Sequence, residues 1–225
     1  MHRSIFLMLA LAFGLTACDQ KSTTENAKDR ARIEEEANTE VQRRTLTEKV
    51  QKMETDLATR HYFYGAVEGK YEGDLKTDFA ELKIRLTLVR SIPAYEGSRT
   101  RELSEVEADL NNLYFHAQVI QWDPKSPASA VGCRITNLRP NLETGVMTIA
   151  SADCPNLYTI YLSNESKLST STNNDVVTPQ SQDIAQKVRS KQIASVPALQ
   201  GFIQPSSNSS VYQFKVTRVK NEVKP

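Results

Sequence analysis

Three histidines, three cysteines and eight glycines in 225 residues leave little material for most of the chemistry that a sequence can announce. There is no G-x-S-x-G elbow, no phosphate-binding glycine loop, no G-x-G-x-x-G turn and no H-E-x-x-H pair. That excludes the familiar serine nucleophile, nucleotide cradle and zinc helix. No C-x-x-C spacing occurs, so the usual way of lowering a thiol pKa is missing, and the cysteines and distant histidines lack zinc-ligand spacing. Charge of one sign is not in excess either, with 28 Lys and Arg against 27 Asp and Glu. A balanced chain gives no electrostatic reason to expect nucleic acid or a strongly basic membrane-surface patch. Asp74 and Asp78 stand near each other without the spacing of a calcium loop. Only one apolar run is long. It covers Ile5 to Leu15, short of the roughly 18–20 residues that span a bilayer.

That run is the most informative stretch present. Arg3 precedes it, Leu15-Thr16-Ala17-Cys18 closes it, and the chain turns polar at once in Asp19-Gln20-Lys21-Ser22. A basic start, an apolar core and small residues at the end make a secretory signal. The ending resembles the lipobox of bacterial lipoproteins, Leu-x-Ala-Cys, matched here by Leu15, Ala17 and Cys18 and covering residues 1–20 only. The resemblance implies that the Cys18 thiol receives a diacylglyceryl group, that residues 1–17 are removed, and that the new amino terminus is acylated. Several acyl chains, at roughly 0.8 kcal/mol per buried methylene, make a lasting anchor. Residues 19–225 are then expected to be soluble, tethered to the cell envelope and facing the periplasm. In the sorting rule of that family an Asp directly after the Cys favours the inner membrane. Asp19 inclines the expectation that way and leaves the outer membrane open.

Cys133 and Cys154 remain, an even pair in an exported chain, where disulfides persist. A bridge between them closes a loop of about 21 residues and is expected to contribute roughly 3 kcal/mol as a structural staple.

From 18 to 60 the chain is charged, lacks Gly and Pro, and is dominated from about Glu25 by Glu, Lys, Arg, Gln and Ala, all good helix formers. Leu46, Val50, Met53 and Leu57 fall on one helical face, and Ile33, Ala37 and Val41 make a weaker stripe. The expectation is a tether and charged helix, serving as a spacer, docking on the following domain or pairing with another helix. At His61-Tyr62-Phe63-Tyr64 aromatics and alternation take over, which marks the start of a β-rich domain, 61–225.

Within it, strands are predicted near 66–73, 79–90, 112–121, 130–137, 145–151, 157–163, 198–204 and 211–219. Ile84, Leu86 and Leu88 alternate with Lys83, Arg85 and Thr87, the pattern of a strand with one wet face. Turn chemistry stands at Gly73-Asp74, at Asp153 to Asn156 and at Pro205 to Asn208. Eight such strands predict a mainly β fold, an antiparallel sandwich or a small barrel. A short helix is predicted within 99–111 from Leu103, Val106 and Leu110. The Ser, Thr and Asn-rich stretch 163–180 reads as a mobile loop, and Ser181 as the cap of a helix over 182–192. Gly69, Gly145 and Gly201 each precede an apolar-x-apolar triplet by thirteen positions, which suggests repeated hairpins.

Candidates for chemistry are few: Glu68, Glu72 and Asp74 beside Tyr71 as paired carboxylates, and His116 on a strand. The aromatics Tyr62, Phe63, Tyr64, Tyr71, Tyr114, Trp122, Tyr158 and Tyr161 serve either as core or as a binding face. No cofactor and no metal is implied. The leading expectation is a binding or scaffolding module for another envelope protein. The alternatives are a carrier of a small ligand or lipid in a barrel cavity, and a periplasmic hydrolase with an unrecognised site. A filled core, an aromatic-lined cavity and a polar cleft would separate these three.

Overall fold

The computed structural model describes residues 5–78, 80–94, 101–149, 154, 157–164, 174–203 and 210–220, with only the backbone for 5–24, 158 and 174–178. The side chain of Cys18, the stretch 165–173 and the turn residues 153, 155–156 and 205–208 lie outside the described residues.

Helix α1 (Ile5–Val67) follows from composition, since neither Gly nor Pro occurs between Gly14 and Gly65. The chain divides into two compact units, 1–52 and 53–225. In the first, Arg43 and Arg44 donate to Glu40 at 2.8 and 2.9 Å and hold its carboxyl down at about 2. Ile33, Val41 and Leu46 are exposed. In the second unit, the last turns of α1 bury Leu57, Phe63, Tyr64 and Val67, with Met53 packed beside them. The lower end of the apolar stripe therefore docks on the β-domain. The aromatic run at 62–64 is helical, not the entry to a strand, because Tyr64 packs on Phe115 at 4.6 Å and donates to the Leu113 carbonyl at 3.2 Å. Tertiary contacts of this kind override the β-preference of aromatics.

Eight antiparallel strands follow: β1 (Gly69–Lys76), β2 (Glu81–Arg90), β3 (Phe115–Asp123), β4 (Ser126–Leu138), β5 (Val146–Thr148), β6 (Leu157–Ser163), β7 (Ala198–Ile203) and β8 (Tyr212–Arg218). They form one sheet in the order β4-β3-β2-β1-β8-β7-β6-β5, curled into a half-barrel. Of the two architectures expected, the barrel-like one forms and the two-sheet sandwich does not. Helices α2 (Leu103–Asn112) and α3 (Asn174–Arg189) interrupt the meander after β2 and after β6. The β-domain is thus a ββαββ unit written twice, its halves joined where β1 pairs with β8.

The thirteen-residue spacing does mark three antiparallel hairpins, β1–β2, β5–β6 and β7–β8, but not at one register and not at equivalent strands of the two units. Gly201 does oppose Phe214, whose ring fills the space a Cβ would need. Gly69, however, opposes Leu88, and the Gly145 carbonyl accepts from Leu162 rather than facing Tyr158. Helix α3 also differs from expectation. It begins at Asn174, so the latter part of the predicted loop is helical, and Ser181 is buried inside the helix rather than capping it. Pro179 lies within α3 and obscures it in the sequence. Ile184 and Val188 are buried as their spacing predicts. The helix stops where Lys191 takes φ 58° and the amides of Lys191 and Gln192 fold back on Val188 and Lys187.

The two outermost strands are drawn together. Pro140 and Met147 form an antiparallel bridge across the tight turn between β4 and β5. Cys133 lies seven residues before Pro140 and Cys154 seven after Met147, so the cysteines fall on the same antiparallel register. They stand at disulfide distance, with Cα atoms 5.6 Å apart, inside the range a disulfide allows.

One half-buried cation ties the ends of the β-domain. Arg218 at the end of β8 donates to the carbonyls of Ala66 (2.6 Å), Glu68 (2.6 Å) and Val196 (2.9 Å) and to the Tyr71 hydroxyl (2.6 Å). Tyr71 in turn donates to the Val67 carbonyl at 2.6 Å, and burial pushes its pKa up to about 12, so it keeps its proton. A cation at the carboxyl end of α1 answers the helix dipole. Gly69 leaves the room, since a Cβ there would lie 2.7 Å from the guanidinium.

Candidate functional site

The sequence-nominated carboxylates are all engaged. Glu68 accepts from the Arg90 side chain at 2.7 Å and its backbone amide at 3.1 Å. Glu72 accepts from Arg85 at 2.6 Å and pairs with Lys70 at 3.0 Å, and these cations hold its carboxyl below the usual range. Asp74 pairs with Lys83, and Asp78 accepts from the Tyr212 hydroxyl at 2.8 Å. A general acid needs its pKa raised; Glu72 is shifted the other way. The structure therefore brings Glu68, Glu72 and Asp74 into separate ion pairs rather than one acidic pair.

His116 is exposed on β3 and meets the edge of Tyr114 at 5.1 Å. His61 is the unusual one. It is buried at the end of α1, and neither ring nitrogen has a hydrogen-bond partner. Burial, then Arg90 and Arg101, lower its pKa against the opposing pull of Asp109. A histidine whose folded pKa is depressed leaves stability whole above its ordinary value near 6.5 and removes it as pH falls below. His61→Leu is therefore expected to be neutral or stabilising by roughly 1 kcal/mol near pH 7.5. It should also flatten the loss of stability as pH falls below about 6.5, read as the urea midpoint at each pH. An acid limb of unchanged slope in the variant would show that His61 is not its cause.

Half of the eight aromatics form core: Phe63, Tyr64, Tyr71 and Tyr161 are buried, while Tyr62, Tyr114 and Trp122 are half-buried. Tyr158 has no described side chain. The interior is filled by Tyr71, Phe63, Phe115 and Phe214, none more than 1% exposed. Beside the cysteine pair is an apolar slot of about 160 Å³ between Val119, Val131, Leu157 and Ile203, with Gln121 at its polar side. No aromatic ring lines it, and it has room for only a few carbon atoms.

The opposite face of the sheet is the other candidate. Inward residues of β3 are Phe115, Ala117 and Val119, so His116, Gln118, Ile120 and Trp122 point out. Register places Ile120 between Arg85 on β2 and Gly132 on β4, and Gln118 between Thr87 and Arg134. The Arg85 guanidinium lies 5.2 Å from the Trp122 ring centroid, a cation–π contact. At Gly132 the missing side chain opens a notch of about 420 Å³ bounded by Ile120, Ala130 and Arg134. Sequence reasoning passed over Ile120, Gly132 and Arg134. The available signal was a break in alternation, with Val119 and Ile120 both apolar and Gln121 turned inward.

Among the described residues no three His, Cys, Asp or Glu side chains gather as a metal site. No protein-family model, curated protein or solved structure matches this chain.

Proposed function

We propose that this chain is a lipid-anchored cell-envelope protein whose β-domain is a binding module for another envelope protein. The anchor is the lipid on Cys18, with Asp19 favouring the inner membrane and the outer membrane open. Among the described residues no helix is long and apolar enough to cross a membrane. The Cys133–Cys154 pair becomes a disulfide in the oxidising periplasm. The observation that carries the binding role is the filled interior: large side chains occupy the inside of the sheet, the apolar slot beside the cysteine pair is about 160 Å³, and the larger pocket of about 470 Å³ at Ala58, Tyr62 and Ala194 lies at the end of α1 and opens to solvent. That leaves the outer surface as the place of work, with little room for a carried lipid.

Two measurements test this. Cells fed a clickable palmitate analogue should label the full chain and retain it in the membrane fraction, while Cys18→Ser loses both label and membrane. A wild-type chain that takes no label overturns the anchor. Amine-reactive cross-linking in intact cells should join the chain to a discrete partner, and a folded, abundant chain with no protein adduct overturns the binding module.

A further inference from the structure

The outward face of β1 to β4 has a charge imbalance around an apolar centre. Glu72 serves Lys70 and Arg85 together, and Asp74 serves Lys83. Lys76 pairs with Glu81, so five outward cations, Lys70, Lys76, Lys83, Arg85 and Arg134, face three outward carboxylates, Glu72, Asp74 and Glu81. Among the described residues Arg134 has no ion-pair partner. In the middle sit the half-buried side chains of Ile120 and Trp122, next to the notch at Gly132. A side chain at 132 would close that notch, its Cβ lying 3.5 Å from Ile120 Cγ1 and 3.1 Å from the Val119 carbonyl oxygen.

From this juxtaposition we infer that the β3–β4 outer face docks an acidic segment of a partner protein, with an apolar side chain of that segment seated in the Gly132 notch. The inference rests on the binding reading above and adds where the partner sits and what its chemistry is. Charge complementarity selects the occupant: an incoming carboxylate meets the unpaired Arg134 guanidinium, the donor best shaped to grip it bidentately. The apolar anchor gains by covering Ile120 and the exposed edge of Trp122, the usual centre-and-rim arrangement of a protein interface. A basic segment would meet the surplus cations and be repelled.

The experiment places a photo-crosslinking amino acid at Gln118 in the full chain in its native cell, with a control position at Gln186 on α3. Gln118 and Gln186 are both exposed. The expected result is one dominant protein adduct from position 118, absent from 186. Its cross-linked peptide, identified by mass spectrometry, should carry more Asp and Glu than Lys and Arg. Arg134→Glu should lower the yield by about tenfold or more, and Ile120→Asp likewise, with unchanged thermal midpoints showing that both variants fold. An adduct from 186 but not from 118 overturns this face and leaves the binding module standing. A basic cross-linked peptide, a lipid, a second copy of this chain or a yield indifferent to Arg134→Glu each overturns the inference. No adduct at 118 from a folded chain does so too, and the surface-wide amine cross-linking then decides separately whether the chain binds a partner elsewhere.

Discussion

Arg218→Met should lower the stability of the full chain by roughly 3–5 kcal/mol, a large share of the 5–15 kcal/mol that a domain holds. Methionine keeps the apolar stem but removes every donor. The carbonyls of Ala66, Glu68 and Val196 then lose their guanidinium partner, as does the Tyr71 hydroxyl. Two of those carbonyls belong to buried residues, Ala66 and Val196, so water does not readily replace the donor. Arg218→Lys should recover only part of the loss, because a single ammonium cannot span acceptors that a planar fork reaches together. The chain has one tryptophan, Trp122, on β3, and its fluorescence during a urea titration reports the change. A midpoint for Arg218→Met equal to that of the parent would remove Arg218 from the account of what holds the domain.

Breaking the Cys133–Cys154 link comes next in size. Closing a loop of 21 residues is worth roughly 3 kcal/mol on the chain-entropy model. Because both cysteines act through one bond, Cys133→Ser, Cys154→Ser and the double variant should lose the same amount, so the two effects do not add. The damage should be local at first. With the pair gone, β4 and β5 are joined to each other, among the described residues, by the Pro140–Met147 bridge and its turn. Amide exchange should therefore rise earliest at Met147 and Ile160, well before Leu86 and Leu88. Uniform exchange across the sheet, or a double variant that loses twice as much as either single one, would contradict the reading of the pair as a clasp between the outer strands.

How far these features could be read beforehand varies with what determines them. Strand β2 was plain because Ile84, Leu86 and Leu88 face the core and Lys83, Arg85 and Thr87 face out, an alternation that local chemistry dictates. The early part of β4 was not, since Ser126 to Ala130 are small and exposed and are strand only by pairing with β3. Helix α1 overran its expected end because Tyr64 is held by Phe115 and Leu113, some fifty residues away, and Phe63 is buried beside it. The cysteine pair was legible from the count, since Cys133 and Cys154 are the two cysteines beyond residue 18. The Arg218 hub was not, for nothing near position 218 says that the end of α1 will lie beside it. The outer face lay between these cases: its residues alternate, but only the register of three strands puts Ile120, Gly132 and Arg134 side by side.

The pairing of β1 with β8 makes the last strand of the chain a middle strand of the sheet. A ribosome that stops before Tyr212, or a protease that trims past it, therefore does not fray the border of this protein. It cuts the sheet in two, leaves β1 and β7 as raw edges, and removes the arginine that closes α1. Unfinished or clipped chains cannot pass for nearly native ones. The strand Tyr212–Arg218 is therefore a condition of folding for both halves of the sheet, although it is made after every other described strand.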